Sequence, residues 1–194
     1  MEKKICASYT ENSIRVYQAY NNKVAEECLK LGTFGESFKM ERMTWIKPSF
    51  LWMMYRCGWG KKENQERVLA IDISRNGFEE MLSNVVLSTY SEKVYKSHEN
   101  WKFQLKTSNV RCQWDPERDI YGNKLDRRSI QIGLQGEMVY KYVNNLILNI
   151  EDMTNKVSKW SKDIRDKKLD FKELPVENEY YVDNLIKEKL GMSI

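Results

Sequence analysis

Three short segments concentrate the side chains able to bind or transform a ligand. In Arg42–Trp59, RMTWIKPSFLWMMYRCGW, three tryptophans, two arginines, one lysine, Thr44 and Ser49 occupy eighteen positions. On a strand, turn and helix, Thr44, Lys47 and Ser49 fall near the strand end and the helix N-terminus. Free backbone N–H groups there attract anions such as phosphate, and Lys47 reinforces the attraction. The competing reading makes Trp45, Phe50, Trp52 and Met53 core, with Arg42 and Arg56 in structural salt bridges. The second segment, VRCQWDPER, sets Gln113, Asp115, Glu117 and Arg118 around Trp114 and Pro116. Trp114 serves equally as a stacking platform, and an internal Asp115–Arg118 ion pair at a strand end accounts for the charges without a ligand. The third segment, RRSIQIGL, alternates Arg128, Ile130, Ile132 and Leu134 against Ser129, Gln131 and Gly133. Its small polar face permits close approach of a ligand or of backbone, and a buried Gln131 needs partners, from protein or ligand.

Several chemistries are disfavoured by residue type alone. The single histidine, His98, sits in a polar stretch and is expected to be exposed, which removes the usual acid–base group and the usual activator of a serine nucleophile. Cys6, Cys28, Cys57 and Cys112 are widely spaced with no CxxC pair, so they read as small buried hydrophobes and no metal is expected. No glycine-rich phosphate loop and no HExxH motif occurs.

The elements that must carry these segments follow from periodicity. Ser13–Tyr20 alternates as a strand, with Ile14, Val16 and Gln18 on one face and Arg15, Tyr17 and Ala19 on the other. Asn21 and Asn22 then open a short helix that buries Val24, Ala25, Cys28, Leu29 and Leu31 and stops at Gly32. Met43–Ile46 reads as a strand, Pro48 as the first turn of a helix over Ser49–Arg56, and Arg67–Ile73 as a buried strand before a helix over Asn76–Leu87. Phe103–Leu105, Val110–Trp114 and Ser129–Leu134 supply further strands. A helix introduced by Gly136 runs through EMVYKYVNNLILNIEDMT, a second covers Thr154–Lys167, and Glu179–Leu190 forms a last amphipathic helix in a charged, marginal tail.

The middle strands lack the intervening helices that a parallel sheet demands, so the expected fold is α+β, with a mixed or antiparallel sheet flanked by short helices. The organisation expected is one globular domain over residues 1–167 and a charged extension over 168–194. The chain has 194 residues, 41% apolar and 12% aromatic, enough for a core without disulfides or metal. Its net charge of +4 is a weak basic bias, so attraction to polyanions depends on local clustering. With no apolar run long enough for a membrane span and no secretory leader at its start, the chain is expected in the cytoplasm, away from membranes.

IRVYQAYNNKVAEECL, RMTWIKPSFLWMMYRCGW, QERVLAIDISRNGFE, VRCQWDPER and RSIQIGL together resemble the uncharacterised family catalogued as domain of unknown function 4291, over roughly residues 5–160. More distantly, VYQAYNNKVAEECLKLG, TWIKPSFLWMMY and RSIQIGL are similar in order and spacing to three motifs of ADP-ribosyltransferases. That resemblance implies an ADP-ribosyltransferase-like fold, NAD as cofactor, and transfer of ADP-ribose to an acceptor. Gln18, Arg128 and Gln131 are implied at catalytic positions; Tyr17, Arg42, Thr44, Lys47, Ser49, Tyr55, Arg56, Gln113, Trp114 and Arg118 are the candidate ligand contacts. Gln18 replaces the family's first-strand histidine or arginine, and Gln131 its glutamate. Gln131 carries no charge, so its expected role is to orient a nucleophile or hold a ribose hydroxyl. A different reading takes the interleaved arginines and tryptophans as a surface for RNA, or the whole chain as a non-enzymatic interaction module.

Overall fold

The computed structural model describes residues 1–193. Short strands β1 (Glu2–Lys3) and β2 (Cys6–Ala7) precede β3 (Ser13–Tyr20), helix α1 (Asn22–Leu31), β4 (Thr44–Ile46), α2 (Phe50–Cys57) and β5 (Arg67–Ser74). Then come α3 (Arg75–Ser83), β6 (Val86–Leu87), α4 (His98–Thr107), β7 (Val110–Arg118), β8 (Lys124–Leu134) and α5 (Glu137–Lys141). A π-helical turn at Tyr142–Leu146 leads into β9 (Ile147–Asp152), followed by α6 (Thr154–Arg165), β10 (Asn178–Glu179) and α7 (Asn184–Leu190). The architecture is α+β, as expected.

The local signals explain most boundaries. Asn21 caps α1 by accepting from the Val24 N–H, and Gly32 ends it in the left-handed region. Ser49 does the same for α2 through Trp52 N–H, with Gly58 at the other end, so Pro48 lies outside the helix rather than in its first turn. Ser74 and Ser97 cap α3 and α4.

One sheet runs β6–β7–β8, with β4 and β1 sharing the far edge of β8; the other is the antiparallel set β3–β5–β9. The two are stitched where Tyr17 N–H donates to the Lys47 carbonyl at 2.7 Å, so the strands follow one another as β6, β7, β8, β4, β3, β5, β9. The main core fills one side of this curled surface, with Ile14, Val16, Ile46, Ile71, Ile132 and Leu134 fully buried. A second core of Tyr17, Phe50, Met53, Met54 and Trp160 lies between β3–β5 and helices α2 and α6. Both faces of β3 are therefore covered.

Four expected elements differ. Phe103–Leu105 belongs to α4, where Ser97 caps the first turn and Trp101 and Leu105, one turn apart, pack against the core. The helix expected through Leu87 stops at Ser83, and Val86–Leu87 pairs with β7. The long helix expected after Gly136 stays helical only through the π-helical turn ending at Leu146; Ile147–Asp152 instead pairs with β5, whose edge would otherwise bury unpaired N–H and C=O groups. Glu179 is in strand β10, paired with β2, and the last helix begins only at Asn184. Leu31, expected on the buried face of α1, is 56% exposed. In the 168–194 segment, Tyr180 and Leu190 are buried, and Trp114 Nε1 donates to the Leu190 carbonyl at 3.0 Å. Among the described residues, no helix is long and apolar enough to cross a membrane.

Candidate functional site

A cavity of about 470 Å³ opens where β3, β4 and β8 lie side by side under α2. Its polar walls come from Gln18 on β3, Thr44 on β4, Lys47 just beyond it, Arg56 on α2, Gln113 on β7 and Gln131 on β8. The volume falls in the range typical of small-molecule sites. Strand alternation sends Gln113 and Gln131 to this side of the sheet and Cys112, Trp114, Ile130 and Ile132 to the other.

Lys47 is the unusual member. It is 5% exposed, and among the described residues it makes no ion pair; its Nζ reaches only the Trp45 carbonyl, at 3.4 Å. Burial and the nearby Arg56 guanidinium lower its ammonium pKa from 10.5 to about 8, against the opposing pull of Asp115. A buried, unpaired lysine beside a cavity is a candidate binding or reaction group. Arg56 is exposed at the mouth. Neither Arg42 nor Arg56 forms a salt bridge among the described residues, contrary to their structural reading.

The glutamines play two parts. Gln18 is locked into protein: Nε2 donates to Thr44 Oγ1 at 2.8 Å and to the Trp45 carbonyl at 3.2 Å, while Oε1 accepts from the buried Tyr142 hydroxyl at 2.8 Å. Gln113 and Gln131 stand directly opposite each other across β7 and β8, and both donate to Asp115, at 2.9 and 2.6 Å. The anticipated Asp115–Arg118 ion pair is absent from the described residues. Arg118 donates instead to the Gly122 carbonyl at 3.0 Å and stacks on Tyr55, 3.8 Å from the ring centroid.

The remaining candidates occupy other places. The Tyr17 ring is wholly buried in the second core, its hydroxyl without a hydrogen-bond partner among the described residues. Ser49 caps α2 and donates to buried Glu117 at 3.0 Å. Glu177, from the chain's last segment, accepts from Phe50 N–H at the same helix end. Tyr55 lies on the outer face of α2, stacked with Trp52. Trp114 and Arg128 sit on the reverse of the sheet, where Arg128 donates to the Trp114 carbonyl at 2.8 Å and Lys3 covers the indole. Arg42 lines an adjoining cavity that shares Tyr20, Met43 and Thr44 with the first. Gly133 is approached by Met43 sulfur and the Trp45 ring rather than by an open ligand space.

Tyr142 is a partner that sequence reading missed, and Asp115, expected to pair with Arg118, instead receives both glutamines. For Asp115 the signal was present: it lies two residues from Gln113, hence on the same strand face. Its meeting with Gln131 depends on the hairpin register. All four cysteines are free, and burial raises their thiol pKa values, Cys28 to about 12, so no activated thiolate adjoins the cavity. Among the described residues no cluster of three His, Cys, Asp or Glu side chains forms a metal-binding set.

Comparison with curated proteins finds no match to this chain. The family model described as domain of unknown function (DUF4291) matches residues 4–180, most of the chain, and the protein belongs to that family.

Proposed function

We propose that this domain binds a nucleotide in the Lys47 cavity and, more specifically, takes NAD and transfers its ADP-ribose to an acceptor. The observation that carries this reading is Lys47, buried without a carboxylate and set beside Arg56 in a polar hollow. Two cations in one cavity call for an anionic guest, and phosphate supplies it. The adjacency of the three motif-bearing strands adds support, since Gln18, Thr44 and Gln131 line the same space.

In the transfer, the bond between the nicotinamide nitrogen and ribose C1′ breaks and nicotinamide leaves neutral. An acceptor nucleophile bonds to C1′ and gives up its proton to water. Gln131 orients the sugar, and the neighbouring Asp115 carboxylate supplies the negative potential that an uncharged glutamine lacks. Arg128 takes no part in this scheme, being on the opposite side of the sheet and held by the Trp114 carbonyl. The interleaved basic and aromatic residues of the RNA reading are divided among several faces, with Arg118 and Arg128 engaged by backbone carbonyls.

Calorimetric titration with NAD, alongside measurement of released nicotinamide, tests the proposal. Wild type should bind NAD and release nicotinamide slowly, and Gln131→Ala should weaken binding severalfold. Absence of NAD binding in wild type removes the transfer reading, and absence of binding by ADP as well removes the nucleotide reading.

A further inference from the structure

We infer that Gln113 and Gln131 form a subsite for sugar hydroxyls and that Asp115 is the positioning residue that sets its polarity; this rests on the nucleotide reading above. The two glutamines are a directly opposed cross-strand pair, which places their Cβ atoms about 5 Å apart on one face. Each turns its Nε2 toward a different oxygen of Asp115, at 2.9 and 2.6 Å. Both carboxylate oxygens act as acceptors here, which fixes both amides nitrogen-inward. Neither Oε1 atom has a protein partner among the described residues, although both side chains line the cavity.

The wall therefore offers two neighbouring acceptors to whatever enters. Donors that match them are hydroxyls or a cation, and the positive groups Lys47 and Arg56 in the same cavity oppose a cation. A phosphate group would meet amide oxygens unfavourably at this wall and favourably at Lys47. The guest is thus oriented, its phosphates toward Lys47 and Arg56 and its vicinal ribose diol toward the glutamines. Asp115 touches no ligand in this arrangement. Its negative charge keeps the amides from turning over.

Binding of ADP and of 2′-deoxy-ADP to wild type and to Asp115→Asn, measured by calorimetry at one salt concentration, tests the inference. Wild type should prefer ADP by about five- to tenfold, the value of one net hydrogen bond. In Asp115→Asn the side chain presents an oxygen to one glutamine and an NH₂ to the other, which turns one amide over, and the preference should fall to within twofold of unity. A ratio between two ligands is insensitive to any loss of folded protein, so it separates positioning from stability. A preference that persists in Asp115→Asn overturns the role of Asp115. Equal affinity of wild type for both nucleotides overturns the subsite and leaves nucleotide binding standing, and that outcome needs no folded variant. Binding of neither nucleotide overturns both.

Discussion

A lysine ammonium that loses its water costs free energy unless a carboxylate replaces that water, and Lys47 has none among the described residues. Its pKa is lowered in the folded chain, to about 8, so the unfolded chain holds its proton more tightly. The penalty is therefore present in full below pH 8, and stability recovers as pH rises from about 8 toward 10.5. Lys47→Met should raise stability at pH 7, on the order of 1–3 kcal/mol in urea unfolding, with the advantage shrinking by pH 10. The same variant should lose at least tenfold in affinity for NAD at pH 7. A variant less stable than wild type that still bound NAD would contradict both halves. At this scale the sequence marked Lys47 and Ser49 as one anion site, yet only Lys47 faces the cavity. The Ser49 hydroxyl is consumed by Trp52 N–H and Glu117, because a helix start needs its own acceptor before it can serve a guest.

Helix α2 carries the back wall of the cavity, and its N-terminus is tied to the chain's last segment by Glu177, which accepts from Phe50 N–H. Burial is the main cause that raises the Glu177 carboxyl from 4.5 to about 8, with nearby Glu117 adding repulsion. A folded-state pKa above the unfolded one gives stability that is complete below about 4.5 and lost as pH climbs through 8. Glu177→Gln keeps an acceptor for Phe50 N–H and removes the titration. Its stability relative to wild type should therefore rise between pH 5 and pH 8, read as a difference in urea midpoints. A wild-type-minus-variant difference that is constant across that interval would show that Glu177 does not titrate there. Elements of this kind were legible where capping chemistry is local, as at Asn21, Gly32 and Gly58. They were misread at Ile147–Asp152, where β5 needed an edge partner and cut short at Leu146 a helical spacing of Met138, Tyr142 and Leu146 that the sequence extends to Ile150.

For the whole molecule, residues 168–193 are tied into the fold rather than hanging from it. β10 pairs with β2, and the buried Tyr180 hydroxyl donates to Glu79 at 2.7 Å and accepts from Arg75 at 3.1 Å. Leu190 is fully buried and its carbonyl receives the Trp114 indole N–H. A chain ending at residue 167 would leave those groups unpaired and open the core beside Trp114 and Tyr9. It should unfold at least 10 °C below the full chain in thermal melts, with Trp114 fluorescence shifted toward solvent. Equal melting temperatures would show the segment to be energetically separate.

Composition and periodicity determined the α+β class, the first strand and helix, the C-terminal end of α2 at Gly58, and the three segments that hold most of the polar cavity. Those are consequences of interactions within a few residues of one another. Which of the polar residues meet was decided by tertiary structure alone. The pairing of Gln113 with Gln131 over Asp115 and the isolation of Lys47 depend on strand register and neighbour, whereas alternation along RRSIQIGL already put Arg128 on the face opposite Gln131. A shift of one residue in a strand sends every side chain to the other side, and the contacts that set that register join residues far apart in the chain.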